Sequence, residues 1–306
     1  MSSLRIRLLG GVEIAHGDTP AASDLTHTLQ TLLAYLLLQR HRTHSRNVLM
    51  GVFWGDQPEE KARGCLNSAL WRLRRLLEPA GMPRGTYLTT LSNGDVTFNR
   101  ADAYWLDVAV LEERAAPVMN AALESVNAAD VEALTQALPL YRGDLLEGVY
   151  SDWALRERER VRTIYLNALA RLVDYYHGRG SHEQGITCAG RLLALDPPRE
   201  DVHRKLMKLY LKTGQRELAA RQFEICRDAL RAELDVEPME ETLAVYAQAS
   251  GGSPQRALGS RAPGVGNPRL LVQRLHRTLR LIDQARDEFA NILHALDRTP
   301  PVARRR

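Results

Sequence analysis

The segment EKARGCLNSALWRLRRLLEP, which ends at Pro79, constrains this chain more than any other stretch. Wound as an α-helix at about 100° per residue, it sets Leu66, Leu70, Leu73 and Leu77 on one narrow face. Gly64, Ser68, Trp71, Arg72 and Arg75 fall opposite, with Arg63, Asn67 and Arg74 on the flank. The leucine face demands a core to bury it. The other face presents the side chains that a major-groove helix needs. Arg donates two bonds to guanine, Asn pairs bidentately with adenine, and flanking Arg neutralises phosphate. Each good bidentate pair discriminates by roughly 1–3 kcal/mol. The competing reading of any one such helix is an ordinary solvated Arg face.

The flanking sequence favours the first reading. Leu4–Ile14 alternates apolar and polar residues and reads as strand, broken at Gly10-Gly11 before a second strand start. Apolar residues at 25, 29, 32, 33, 36 and 37 predict a helix over Thr26–Leu38. Asn47–Trp54 reads as a short helix, stopped by Gly55-Asp56-Gln57-Pro58. The Arg-bearing helix is expected over Glu59–Glu78, ended by Pro79 and Gly81. Tyr87–Asn99 follows, with β-prone runs on both sides of Asn93-Gly94, a strong hairpin signal. Strands, three helices and a hairpin within residues 1–100 describe a winged helix-turn-helix with an extra N-terminal sheet.

From 101 to 249 the pattern is helix after helix, expected at Trp105–Pro117, Ala129–Tyr141, Asp152–His177, Glu183–Leu195, Glu200–Lys212, Arg216–Leu234 and Glu240–Gln248. An offset of 34 residues aligns Tyr176 with Tyr210, Gly180 with Gly214 and Glu183 with Glu217. Ala219 and Phe223 keep an A-x-x-x-F spacing. A helix-turn-helix period of that length is the tetratricopeptide (TPR) signature, and a generic helical bundle is the alternative. The fold class expected is therefore an α+β winged helix-turn-helix followed by an all-α tetratricopeptide-like domain. Residues 250–268 are rich in Gly, Ser and Pro and read as a flexible linker. Leu271, Leu275, Ile282, Ala285, Phe289, Ile292 and Leu296 stripe a helix over 269–297, ahead of a basic tail at 298–306. That stripe fits a dimerisation helix, a plug for the repeat groove, or a helix awaiting another partner.

The net charge of +4 hides this organisation. Residues 1–100 carry 12 basic and 8 acidic side chains, residues 101–250 carry 18 and 25, and residues 251–306 carry 11 and 4. A basic head, an acidic middle and a basic tail point to a nucleic-acid or other anionic partner. The preponderance of Arg among the basic residues is explained more cheaply by a GC-rich coding genome than by function.

The motifs "VLMGVFWGDQPEEKARGCLNSALWRLRRLLEP", "ALPLYRGDLLEGV" and "LMKLYLKTGQRELAARQFEICRDALRAELDVEP" resemble those of the bacterial SARP (antibiotic regulatory protein) family. The resemblance covers about four fifths of the chain. Such proteins join an OmpR/PhoB-type winged helix to a bacterial transcriptional activator domain. The resemblance implies an activator, not an enzyme, that binds direct repeats in promoters as a homodimer and contacts the sigma subunit of RNA polymerase. It implies a cytoplasmic protein at the bacterial nucleoid, without a cofactor. By this match Ser68, Arg72 and Arg75 read bases in double-stranded DNA, with Asn67 and Trp71 beside them. Arg46, Arg63 and Arg74 hold phosphates. Gly55, Asp56, Glu59 and Glu60 form the loop offered to the polymerase. The wing Ser92-Asn93-Gly94-Asp95 departs from the family: it lacks a minor-groove Arg and carries an acid, so backbone amides or Thr89 and Thr90 stand in as phosphate contacts. Trp71 either packs on a sugar or thymine methyl, or covers the core edge. The alternative function is a tetratricopeptide-type adaptor whose winged helix binds protein.

Other chemistry finds little support. There is no apolar run of about 18 residues to span a membrane, and Arg5 and Arg7 break up the N-terminal apolar stretch that a signal peptide needs. Cys65, Cys188 and Cys226 are odd in number and far apart, which favours buried thiols in a reducing compartment. His41 and His44 have metal-like spacing but only Arg neighbours. No P-loop, receiver domain or catalytic constellation is legible. The mixed run Arg156–Arg162 is expected to be a solvated helix face.

Overall fold

The computed structural model describes residues 4–17, 19–21, 25–78, 81–99 and 104–251. The helix expected at 269–297, the tail and most of the linker lie outside the described residues. The described residues belong to one compact unit that ends at Gly252.

The chain opens with β1 (Leu4–Arg7), β2 (Glu13–His16) and β3 (Thr19–Pro20). Leu4 and Ile6 are fully buried while Arg5 faces out, the alternation that a strand with one covered face requires. Three helices follow: α1 (His27–Leu38), α2 (Arg46–Trp54) and α3 (Glu59–Leu77). Residues Leu32 to Leu38 of α1 are all buried, so this helix is the axis on which the head packs. The hairpin β4 (Leu88–Thr90) and β5 (Val96–Phe98) comes next. Its turn is a three-residue loop. Gly94 N–H bonds to the Leu91 carbonyl (2.9 Å), Leu91 N–H bonds to the Asp95 carbonyl (2.8 Å), and only Gly94 takes positive φ.

Sequence periodicity places Trp105 in a helix, but the structure places it in a strand. β6 (Tyr104–Leu106) lies parallel to β1, with Arg5 opposite Trp105, and completes a sheet of order β3-β2-β1-β6. The Arg5 guanidinium rests 5.2 Å from the Trp105 ring centre. α4 (Asp107–Asn120) begins immediately after β6. Its first residue, Asp107, is buried and accepts bonds from the amides of Leu8 (2.9 Å) and Leu9 (2.9 Å) and from its own neighbour Val108 (2.8 Å). Burial raises the Asp107 pKa, and those amides pull it back down.

The remaining helices are α5 (Ala128–Ala137), α6 (Asp152–Arg179), α7 (His182–Leu195), α8 (Glu200–Lys212), α9 (Arg216–Leu234) and α10 (Glu240–Ser250). The 34-residue period is physical. Gly180 and Gly214 both take φ of 75°. Ser181 N–H bonds to the Tyr176 carbonyl at 3.0 Å, and Gln215 N–H to the Tyr210 carbonyl at 2.8 Å. These are two copies of one helix-ending turn, each in the left-handed conformation that glycine adopts without strain. Ala189 and Phe223, one period apart, are both buried.

The charge run at 156–162 is solvated only in part: Arg156, Glu159 and Arg160 are exposed, whereas Glu157, Arg158 and Arg162 are drawn inward. Arg158 donates to the carbonyls of Leu145 (2.8 Å), Leu146 (2.7 Å) and Val149 (2.8 Å), and Arg162 to that of Leu195 (2.7 Å). Gln39, at the end of α1, donates to Glu157 (2.7 Å), and Arg160 bridges Glu157 and Glu112. Irregular backbone between helices leaves carbonyl lone pairs without amide donors, and guanidinium groups fill them.

Candidate nucleic-acid interface

Helix α3 starts after the Gly55–Pro58 connection. Gly55 is required there, because a Cβ on it would fall 2.7 Å from the Gly51 carbonyl oxygen. Glu59 and Glu60 occupy the first turn of α3 and Arg74 and Arg75 the last, the signs that complement a helix dipole. Leu66, Leu70, Leu73 and Leu77 are buried as expected.

The opposite ridge is open. Gly64, Ser68, Trp71, Arg72 and Arg75 are all exposed, Trp71 to 58%. The Arg75 guanidinium lies 5.4 Å from the Trp71 ring centre, so the two extend together along the ridge. A Cβ at Gly64 would meet nothing, which leaves the ridge low at that point.

One flank of α3 is tied to α2 and the hairpin. Arg46, first residue of α2, donates to the Asn67 side-chain oxygen. Arg74 donates to the Leu88 carbonyl (3.0 Å) and the Thr90 hydroxyl (2.5 Å), so it holds β4 against the helix. Thr89 donates to the Gly85 carbonyl (3.0 Å). In the wing, Asn93 donates to the Asp95 carboxylate (2.9 Å). Arg63 pairs with Glu59 at 2.6 Å, both side chains more than half exposed.

The other flank opens on a cleft of about 470 Å³, where Lys61, Ser68 and Arg72 face Thr26 and Thr28 from the start of α1. Cys65 also lines the cleft and is half-buried rather than buried. The two threonines were not legible as site residues: they lie more than 30 positions before α3, and only the fold brings them there. His44 is buried against the Gln39 carbonyl (3.2 Å), and its backbone pairs with Val96. Among the described residues no group of three or more His, Cys, Asp or Glu side chains is placed to hold a metal. Tyr176 meets Thr135 (3.1 Å), and Phe223 stacks on Tyr246 with ring centres 4.2 Å apart, so these aromatics pack between helices.

A winged helix carried on a helical repeat domain defines the class. Residues 106–249 match the family model described as "Bacterial transcriptional activator domain". The chain is 29% identical over 241 residues to Regulatory protein AfsR of Streptomyces coelicolor, covering 77% of this chain and 23% of that protein. It is 25% identical over 244 residues to Regulatory protein DnrI of Streptomyces peucetius, covering 77% of this chain and 88% of that protein. The chain thus spans about a quarter of the length of AfsR. The same fold occurs in Mycobacterium tuberculosis EmbR, solved in complex with a low-affinity phosphopeptide: TM-score 0.62, 20% identity, 84% of this chain and 68% of that one. Over residues 106–249 the chain carries the bacterial transcriptional activator domain, and along most of its length it is similar to these regulatory proteins. The matched domain is described by its part in transcriptional activation, and both sequence relatives are described as regulatory proteins.

Proposed function

We propose that the chain regulates transcription by binding duplex DNA through α3, as an activator that engages RNA polymerase. The observation that carries this reading is the exposed ridge Gly64–Ser68–Trp71–Arg75, bordered by cationic and hydroxyl groups on both flanks. Ser68, Arg72 and Arg75 read base edges, and Trp71 packs on sugar or a thymine methyl. Asn67 already receives Arg46 on its side-chain oxygen, so its work is to aim Arg46 at a phosphate. Arg63 and the free edge of Arg74 grip the same strand, with Thr89 and Thr90 beside them. Thr26, Thr28 and Lys61 grip the other. The exposed loop Gly55-Asp56 with Glu59 and Glu60 faces the sigma subunit. A homodimer on repeated half-sites, acting at the bacterial nucleoid, completes the reading, supported by the matched activator-domain description.

Selection of binding sites from random duplex DNA, followed by salt titration on the winning sequence, tests it. The expected result is one enriched motif and an affinity falling with salt at a log–log slope of about −0.9 per phosphate contact. No enriched motif, or a salt-independent affinity, overturns it.

A further inference from the structure

A second cleft, of about 370 Å³, lies within the helical domain, away from α3. The stacked rings of Tyr141 and Tyr165, 4.2 Å apart and 10° from parallel, line it. Leu138, Ala194 and Leu195 supply apolar surface, and Arg142 and Arg191 supply the cations.

The polar groups of this cleft are nearly all committed. The Tyr141 hydroxyl donates to the Asp144 carboxylate at 3.0 Å. Arg142 pairs with Glu13 of β2 at 3.1 Å. The Leu195 carbonyl, at the negative end of α7, receives Arg162 at 2.7 Å. Arg191 is exposed, donates a hydrogen bond to the Tyr165 hydroxyl and has no ion-pair partner among the described residues. One guanidinium without a carboxylate partner, above an aromatic and aliphatic lining, defines a complementary ligand: an apolar body bearing a single carboxylate. The volume is within the range of small-molecule sites, and a guanidinium fork matches a carboxylate in geometry as well as charge.

We propose that this cleft binds a small amphipathic carboxylate, with Arg191 receiving the carboxylate and the Tyr141–Tyr165 wall receiving the apolar body. Arg142 and Gly143 join this cleft to the N-terminal sheet. Gly143 backs onto Gly10, and Arg142 holds Glu13. An occupant therefore touches the segment that fastens the sheet.

The test uses the full chain and contains no DNA, so its outcome is separate from the DNA-binding reading. Naphthoate and octanoate are titrated by calorimetry and thermal melting against their neutral amides, naphthamide and octanamide. At least one acid is expected to bind saturably and raise Tm, with its amide weaker by about tenfold or more. Arg191→Ala, an exposed substitution, is expected to weaken the acid about tenfold while the unliganded Tm stays put. Ala194→Trp fills the cleft and is expected to abolish binding. Absence of binding by both acids, equal binding of acid and amide, or wild-type affinity in either variant overturns the proposal.

Discussion

Gly143 and Gly10 lie back to back: a Cβ on Gly143 would stand 3.1 Å from the Gly10 Cα. The contact is flanked by the Gly10 N–H bond to the Asp144 carbonyl (3.0 Å) and the Leu146 N–H bond to the Leu8 carbonyl (3.0 Å). Two backbones this close leave no side chain to move aside. Gly143→Ala is expected to cost about 1–3 kcal/mol in urea unfolding. Gly185→Ala provides the contrast. Its Cβ would meet the Leu209 Cδ1 at the same 3.1 Å, but that is the end of a rotatable side chain. A smaller loss at Gly185 than at Gly143 is the outcome that supports this account.

Asp107 makes the junction of sheet and helix depend on one carboxylate. Asp107→Ala leaves the buried amides of Leu8 and Leu9 without acceptors, and the expected loss is roughly 3 kcal/mol. Asp107→Asn keeps one oxygen and removes the buried charge, so it is expected to lose less. Equal melting of the wild type and Asp107→Ala would overturn this assignment.

Acid should loosen the repeats through His203. Its Nε2 meets the Pro197 carbonyl at 2.8 Å and its Nδ1 meets the Gln222 amide at 2.6 Å. Burial lowers its pKa below the ordinary 6.5, as it does for His44. A histidine with a depressed folded pKa contributes stability that is whole above 6.5. That stability is lost as pH falls toward the folded value, because the unfolded chain takes the proton first. Melting temperature is expected to drop between about pH 7 and pH 5, and His203→Gln to flatten that slope.

On the proposed DNA-binding reading, Arg75 and Arg63 separate reading from gripping. Arg75→Ala is expected to flatten sequence preference, costing roughly 1–3 kcal/mol on the best site. Arg63→Ala is expected to leave preference intact and reduce the salt slope by about 0.9. Binding-site selection repeated with each variant distinguishes the two.

Much of this was legible beforehand because periodicity reports burial. The leucine stripe of α3 named its buried face, and the offset between Gly180 and Gly214 predicted two identical turns. What stayed hidden was set by contacts distant in sequence. The strand residues Tyr104–Leu106 have no pattern of their own. Their state is fixed by β1, about a hundred residues earlier. Arg158 looked like surface charge because its partners are carbonyls, which leave no trace in the side-chain sequence. Asn67 and Arg74 looked free because their partners, Arg46 for the first and Leu88 and Thr90 for the second, lie 14 to 21 positions away in sequence.

Because Asp107 directly follows β6, begins α4 and accepts the Leu8 and Leu9 amides just past β1, that helix is pinned at its first residue to the sheet. Its far side bears Glu112, gripped by Arg160 and near Arg40 at the end of α1. A shift of α4 reaches the end of α1 through these side chains and through Glu157, which receives Gln39, and α1 carries Thr28 at the lip of the α3 cleft. The head cannot swivel on this body like a bead on a string; it turns with it.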